Sequence, residues 1–156
     1  MDQAAAEPIG AELIGAEAIS RGVCRLLRAL GQGTVTEFPL YNGRRADVIA
    51  LDRGGRFTIV EIKSSPADYR ADRKWGDYLD FCDRFYFAVG PDFPRAMLPD
   101  GHGLIVGDSY DATVLREALP RPLHASRRRT LLLRFGLAAS RRLRDVEDPE
   151  IRGAAT

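Results

Sequence analysis

The chain has 156 residues, 45% of them hydrophobic and 29% charged, with 23 Lys and Arg against 22 Asp and Glu. That is one domain's worth of ordinary core-forming sequence, and it excludes a polybasic or polyacidic tail protein while leaving room for a local basic patch. Two cysteines, Cys24 and Cys82, make neither a disulfide framework nor a CxxC metal site, which points to a reducing, cytoplasmic setting.

Residues 1–9 are small and acidic and contain Pro8, so they read as a flexible tail, without the basic region of a secretory signal. From about Ala11 to Leu30 the apolar residues fall at helical spacing and Gly31 supplies the stop, with Gly22 as a weak point that suggests a close contact. Three strands follow: Thr34 to Leu40, then Ala46 to Leu51, then Phe57 to Lys63. Asn42-Gly43 and Arg53-Gly54-Gly55 are their turns. Pro66 opens a second helix, expected over Ala67 to Cys82. Phe85 to Val89 and Leu104 to Val106 read as strands, Ala112 to Leu115 as a further one, and Arg127 to Leu143 as a last helix. No run of 18 apolar residues exists to span a membrane. The expected architecture is α/β (α+β), a mixed sheet flanked by helices in the order α-β-β-β-α-β-β(-β)-α, over a single domain at 10–146 with a second tail at 147–156.

Chemistry concentrates in RRADVIA and FTIVEIKSS. Glu61 and Lys63 are two apart on one strand and share a face. A three-residue loop at Arg53-Gly54-Gly55 pairs Asp52 with Arg56 and so sets Asp47 opposite Glu61, whereas a two-residue turn would send Asp47 to the other face. Two carboxylates side by side are costly unless a cation lies between them, and a hard divalent ion suits oxygen ligands. A lysine on the same edge can orient water or counter phosphoryl charge. The competing reading is a sheet-edge ion pair between Lys63 and either acid.

A strand Asp followed on the next strand by Glu-X-Lys, between two helices, resembles the PD-(D/E)XK nuclease superfamily. Asp47, Glu61 and Lys63 fill that motif, with Ala46 in place of its Pro. The strings RGVCRLL, RRADVIAL, VEIKSS, DYRADRKWGDYLDFCDRFYFAV and GLIVGD further resemble the MmcB-type DNA repair family of bacteria, from about Ser20 to Leu143. The resemblance implies a restriction-endonuclease-like core and a role in DNA damage repair. It implies Mg²⁺ or Mn²⁺ held by Asp47, Glu61 and the Ile62 carbonyl, with Lys63 acting on water. An additional acid is expected at either Glu37 or Glu17.

DNA contacts are expected from Arg21, Arg45, Lys74, Tyr78, Arg127 and Arg128. Lys74 and Tyr78 would share a helix face at i and i+4, the alternative being a solvated surface. Eight arginines between Arg121 and Arg144, with no acid among them, form a local basic region suited to phosphate, unless the acids at 145–150 neutralise it. Trp75 reads as a packing residue. The function expected is metal-dependent DNA hydrolysis in repair, with DNA and repair proteins as partners; the alternative is a DNA- or partner-binding module on the same fold with little turnover.

Overall fold

Along Ala16–Ala29 the apolar side chains form one stripe, Ile19, Val23 and Leu27, which is buried. This stripe sets α1 against one face of a sheet in the computed structural model, which describes residues 14–153. The expected tail at 1–9 and the first expected helical residues at 11–13 lie outside the described residues. Strands β1 (Gly33–Pro39), β2 (Arg45–Leu51), β3 (Phe57–Lys63), β4 (Arg84–Val89), β5 (Gly103–Gly107) and β6 (Ala112–Arg116) are laid side by side in that order. β1, β2 and β3 form an antiparallel meander, β3, β4 and β5 run parallel, and β6 returns antiparallel.

Strand alternation divides the sheet into two apolar faces. Val48, Ala50, Val60, Ile62, Tyr86 and Ala88 pack under α1. Ile49, Phe57, Ile59, Phe85 and Phe87 point the other way, against α3 (Ala125–Glu147) through Leu131 and Phe135. β3 is buried along its whole length, as a central strand between two helical layers must be. α3 begins two residues before and ends four residues after the span its periodicity predicts, and a 3₁₀ turn follows at Pro149–Gly153. Among the described residues no helix is long and apolar enough to cross a membrane.

Two details of backbone fit are decisive. A Cβ on Gly22 would lie 2.0 Å from the Asp108 carbonyl oxygen and 2.5 Å from that of Asp111, so α1 can approach the β5–β6 turn only with glycine there. Gly55 has φ +80 in the β2–β3 turn, and Asp52 N–H bonds the Arg56 carbonyl at 3.0 Å, so the loop holds three residues.

The second helix differs from its expectation. α2 covers only Pro66–Ala71, capped by Ser65, and Trp75–Phe81 is a separate 3₁₀ segment. The break falls at Asp72. Its carboxylate accepts the Lys74 backbone N–H at 2.9 Å and two side-chain cations, and such local bonding competes with helical continuation. Lys74 and Tyr78 therefore do not share an α-helical face: Lys74 stands exposed at the start of the 3₁₀ segment, while Tyr78 is buried.

Candidate functional site

The β2–β3 register runs Leu51 against Phe57 through Val48 against Val60, which carries Asp47 to the level of Glu61. There the ladder opens. Instead of strand pairing, Asp47 N–H donates to Glu61 Oε1 at 3.1 Å and Ile62 N–H donates to Asp47 Oδ2 at 2.8 Å. The ladder with β1 is interrupted at the same level, between Thr36–Val48 and Phe38–Ala46. Glu37, across from Asp47, has φ 49, a left-handed conformation that costs a non-glycine residue roughly 1–2 kcal/mol. The β2–β3 ladder thus ends and the β1–β2 ladder skips one level at Asp47, and a cleft of about 570 Å³ lies there, lined by Ala16, Glu17, Ser20, Thr36, Glu37, Asp47 and Ile62.

The electrostatics of the acidic pair follow from its burial. Glu61 is 4% exposed and Asp47 is half-buried. Removal from water, and then the charge of Asp47, push the Glu61 carboxyl up to about 8. Asp47 is also raised, chiefly by burial, against the lowering pull of the Ile62 N–H and the Lys63 charge. Among the described residues no basic side chain is ion-paired to either acid, although Lys63 is two residues from Glu61. Its ammonium, on a side chain 4% exposed, instead meets Asp72 Oδ2 at 2.8 Å. Arg44 supports the same Asp72 carboxylate at 3.2 Å and lies over the Tyr78 ring. Tyr78 O–H donates to the Arg45 carbonyl at 3.0 Å; burial and the Glu61 charge raise its pKa.

Asp72 and Arg44 were not singled out by sequence. The signal available was the acid in RADRKW, nine residues after Lys63. Glu17 and Glu37 both line the cleft, so the structure brings either acid to Asp47. Arg45 stands at the rim in a loose, exposed 3.9 Å contact with Glu37. Arg21 lines an adjoining groove that shares Glu17, Ser20 and Thr36 with the cleft.

Arg127 and Arg128 are not brought to this site. Arg128 grips the buried Asp83 with both guanidinium nitrogens, at 2.6 and 2.8 Å, and donates to the Gly55 carbonyl at 2.7 Å. Gly55 is in the turn at the far end of β2–β3, six residues or roughly 20 Å along the strand from Glu61. Arg127 covers the Phe81 ring and donates to the Asp80 carbonyl. These two arginines fasten α3 to the sheet. Within the basic helix, Arg142 reaches β1 beside Asp47, donating to the Glu37 carbonyl at 3.1 Å and to Thr36 Oγ1 at 3.3 Å.

Among the described residues no three His, Cys, Asp or Glu side chains converge as a metal-ligand group. The donor set at Asp47 is two carboxylates, both hard oxygen donors. A buried acidic pair with both pKa values raised and no ion-paired cation is the environment a divalent ion such as Mg²⁺ or Mn²⁺ would relieve, and these residues fit it.

Among solved structures, the chain is similar to a protein of unknown function from Silicibacter pomeroyi, with 42% identity and a TM-score of 0.86, over 89% of this chain and 95% of that one. No match is found among curated proteins. The family of DNA repair protein MmcB-like chains matches residues 9–150, nearly the whole length, and the chain belongs to that MmcB-like family.

Proposed function

We propose that this protein is a metal-dependent deoxyribonuclease of DNA repair, built on the PD-(D/E)XK plan, with Mg²⁺ or Mn²⁺ held by Asp47, Glu61 and the Ile62 carbonyl. The observation that carries the reading is the pairing of half-buried Asp47 with buried Glu61 at the point where the β2–β3 ladder ends and side chains take over its backbone N–H groups. Family membership supports the repair context. A bound divalent ion would acidify water and offset the charge that develops on a phosphodiester. Asp47 and Glu61 would hold the ion, their carboxylates oriented by the N–H groups of Ile62 and Asp47. Lys63 supplies a fixed positive charge behind them, held by Asp72. Glu37 or Glu17 adds an acid on the cleft wall, and Arg21, Arg45 and Arg142 supply cations around it.

A second reading is favoured by one contact. The 2.8 Å Lys63–Asp72 bond engages the lysine away from the acidic pair. A protein in which that bond persists on DNA binds nucleic acid or a repair partner on this fold and turns over weakly.

Calorimetric titration of Mn²⁺ into wild type and Glu61→Gln tests the first step. Wild type is expected to bind with a stoichiometry near one, and Glu61→Gln is expected to lose affinity by at least tenfold. Absence of binding at millimolar Mn²⁺ would remove the metal from the account.

A further inference from the structure

The outer face of α3 carries an exposed seam that the sheet does not use, two leucines and two small residues with a charge at each end. Arg129, Leu133, Gly136, Ser140, Leu143 and Glu147 follow one another at spacings of 4, 3, 4, 3 and 4 residues, and all six are exposed. Leu133 is 62% and Leu143 58% exposed, and Leu137 flanks them at 54%. Alternation of three and four is the spacing of a coiled-coil seam. The buried residues Leu131 and Phe135 lie on the opposite side of the helix, so the seam points away from the sheet.

We infer that this seam pairs α3 with the α3 of a second copy of the chain, antiparallel, about a centre at Ala138. That arrangement sets Leu133 against the partner's Leu143, Gly136 against the partner's Ser140, and Arg129 against the partner's Glu147. The small residues fall at the centre, where the helices must approach most closely. Charge complementarity fixes the direction: a parallel pair would stack Arg129 on the partner's Arg129 and Glu147 on the partner's Glu147. The helix dipoles agree. Arg129 sits near the positive N-terminus of its own helix and Glu147 at the negative C-terminus, both unfavourable, and each meets the opposite terminus of an antiparallel neighbour. Arg129 has no bonded partner within the described residues, and Glu147 has an exposed 3.2 Å pair with Arg144. The interface is isologous, as a two-fold dimer requires. None of the seam residues lines the cleft at Asp47, so the pairing does not depend on the chemistry of that cleft.

Sedimentation equilibrium of the full chain, from micromolar to sub-millimolar concentration, tests the pairing, with circular dichroism confirming that each variant is folded. Wild type is expected to be a reversible dimer and Leu133→Glu a monomer throughout. Arg129→Glu and Glu147→Arg are each expected to weaken dimerisation about tenfold, since each alters two symmetry-related pairs. The double reversal R129E/E147R is expected to return the dissociation constant to near the wild-type value. A monomeric wild type over the whole range, or a double reversal no tighter than either single one, would overturn the proposal.

Discussion

Asp72 shows how much a single side chain can decide. It ends α2, it receives the ammonium of the buried Lys63, and it draws in Arg44. Removing one partner of a buried ion pair leaves the other charge uncompensated, so Asp72→Asn is expected to cost about 2–4 kcal/mol in urea unfolding, the lower end reflecting partial exposure of Asp72. Glu61 gives a pH signature. Its folded pKa lies above the ordinary glutamate value, so the native state binds more protons than the unfolded chain between that value and about 8. Stability associated with Glu61 is therefore present at low pH and lost as pH rises through that window. In the metal-free protein, the melting temperature of wild type relative to Glu61→Gln is expected to fall from pH 5 to pH 8, and added Mn²⁺ is expected to reverse the trend. Differential scanning calorimetry at several pH values measures both.

At the scale of elements, the register of β2 on β3 was legible because Arg53-Gly54-Gly55 admits few loop geometries, and the odd loop alone brings Asp47 to Glu61. The strand at Phe57–Lys63 was legible from its apolar run around Thr58-Ile59-Val60 and the glycine turn before it. The bent course of 66–81 was not, because the break at Asp72 combines a local bond to the Lys74 N–H with ion pairs to Lys63 and Arg44 that form only when β2 and β3 bring those cations to it. For the same reason the arginines of α3 were read as phosphate ligands: Arg128 finds its acid at Asp83, 45 residues away. Asp83 also accepts the Phe57 and Leu123 backbone N–H groups at 2.7 and 2.9 Å, so it joins β3, β4 and the approach to α3. Asp83→Ala leaves those N–H groups and a guanidinium without their acceptor and is expected to cost about 3–5 kcal/mol by chemical denaturation. Arg128→Glu is expected to destabilise the fold by a similar amount, whereas Arg142→Glu is expected to leave stability nearly intact and weaken DNA binding. Gly22→Ala places a methyl group against two backbone carbonyls and is expected to cost about 2–3 kcal/mol, with the β5–β6 turn displaced.

At the scale of the whole molecule, the Asp47–Glu61 pair lies where the β2–β3 ladder ends. One half of the β2–β3 hairpin is ordinary antiparallel ladder, held at its turn by Arg128, and the other half parts so that side chains replace strand hydrogen bonds. The α1 layer closes one side of the resulting cleft with Ala16, Glu17 and Ser20, while β1 supplies Thr36 and the strained Glu37. Composition could not reveal this, because the net charge of the chain is close to zero and its charges are sorted only by folding. The measurement that bears most directly on the account is a cleavage assay with Mn²⁺ over single-stranded, duplex, flap and junction DNA, run on wild type, Lys63→Ala and Glu61→Gln purified in parallel. Wild type is expected to cut at least one of these substrates, Glu61→Gln to lose both cleavage and metal affinity, and Lys63→Ala to bind Mn²⁺ as well as wild type while losing cleavage. Equal cleavage by Lys63→Ala and wild type, or no cleavage of any substrate by wild type, would contradict the nuclease reading.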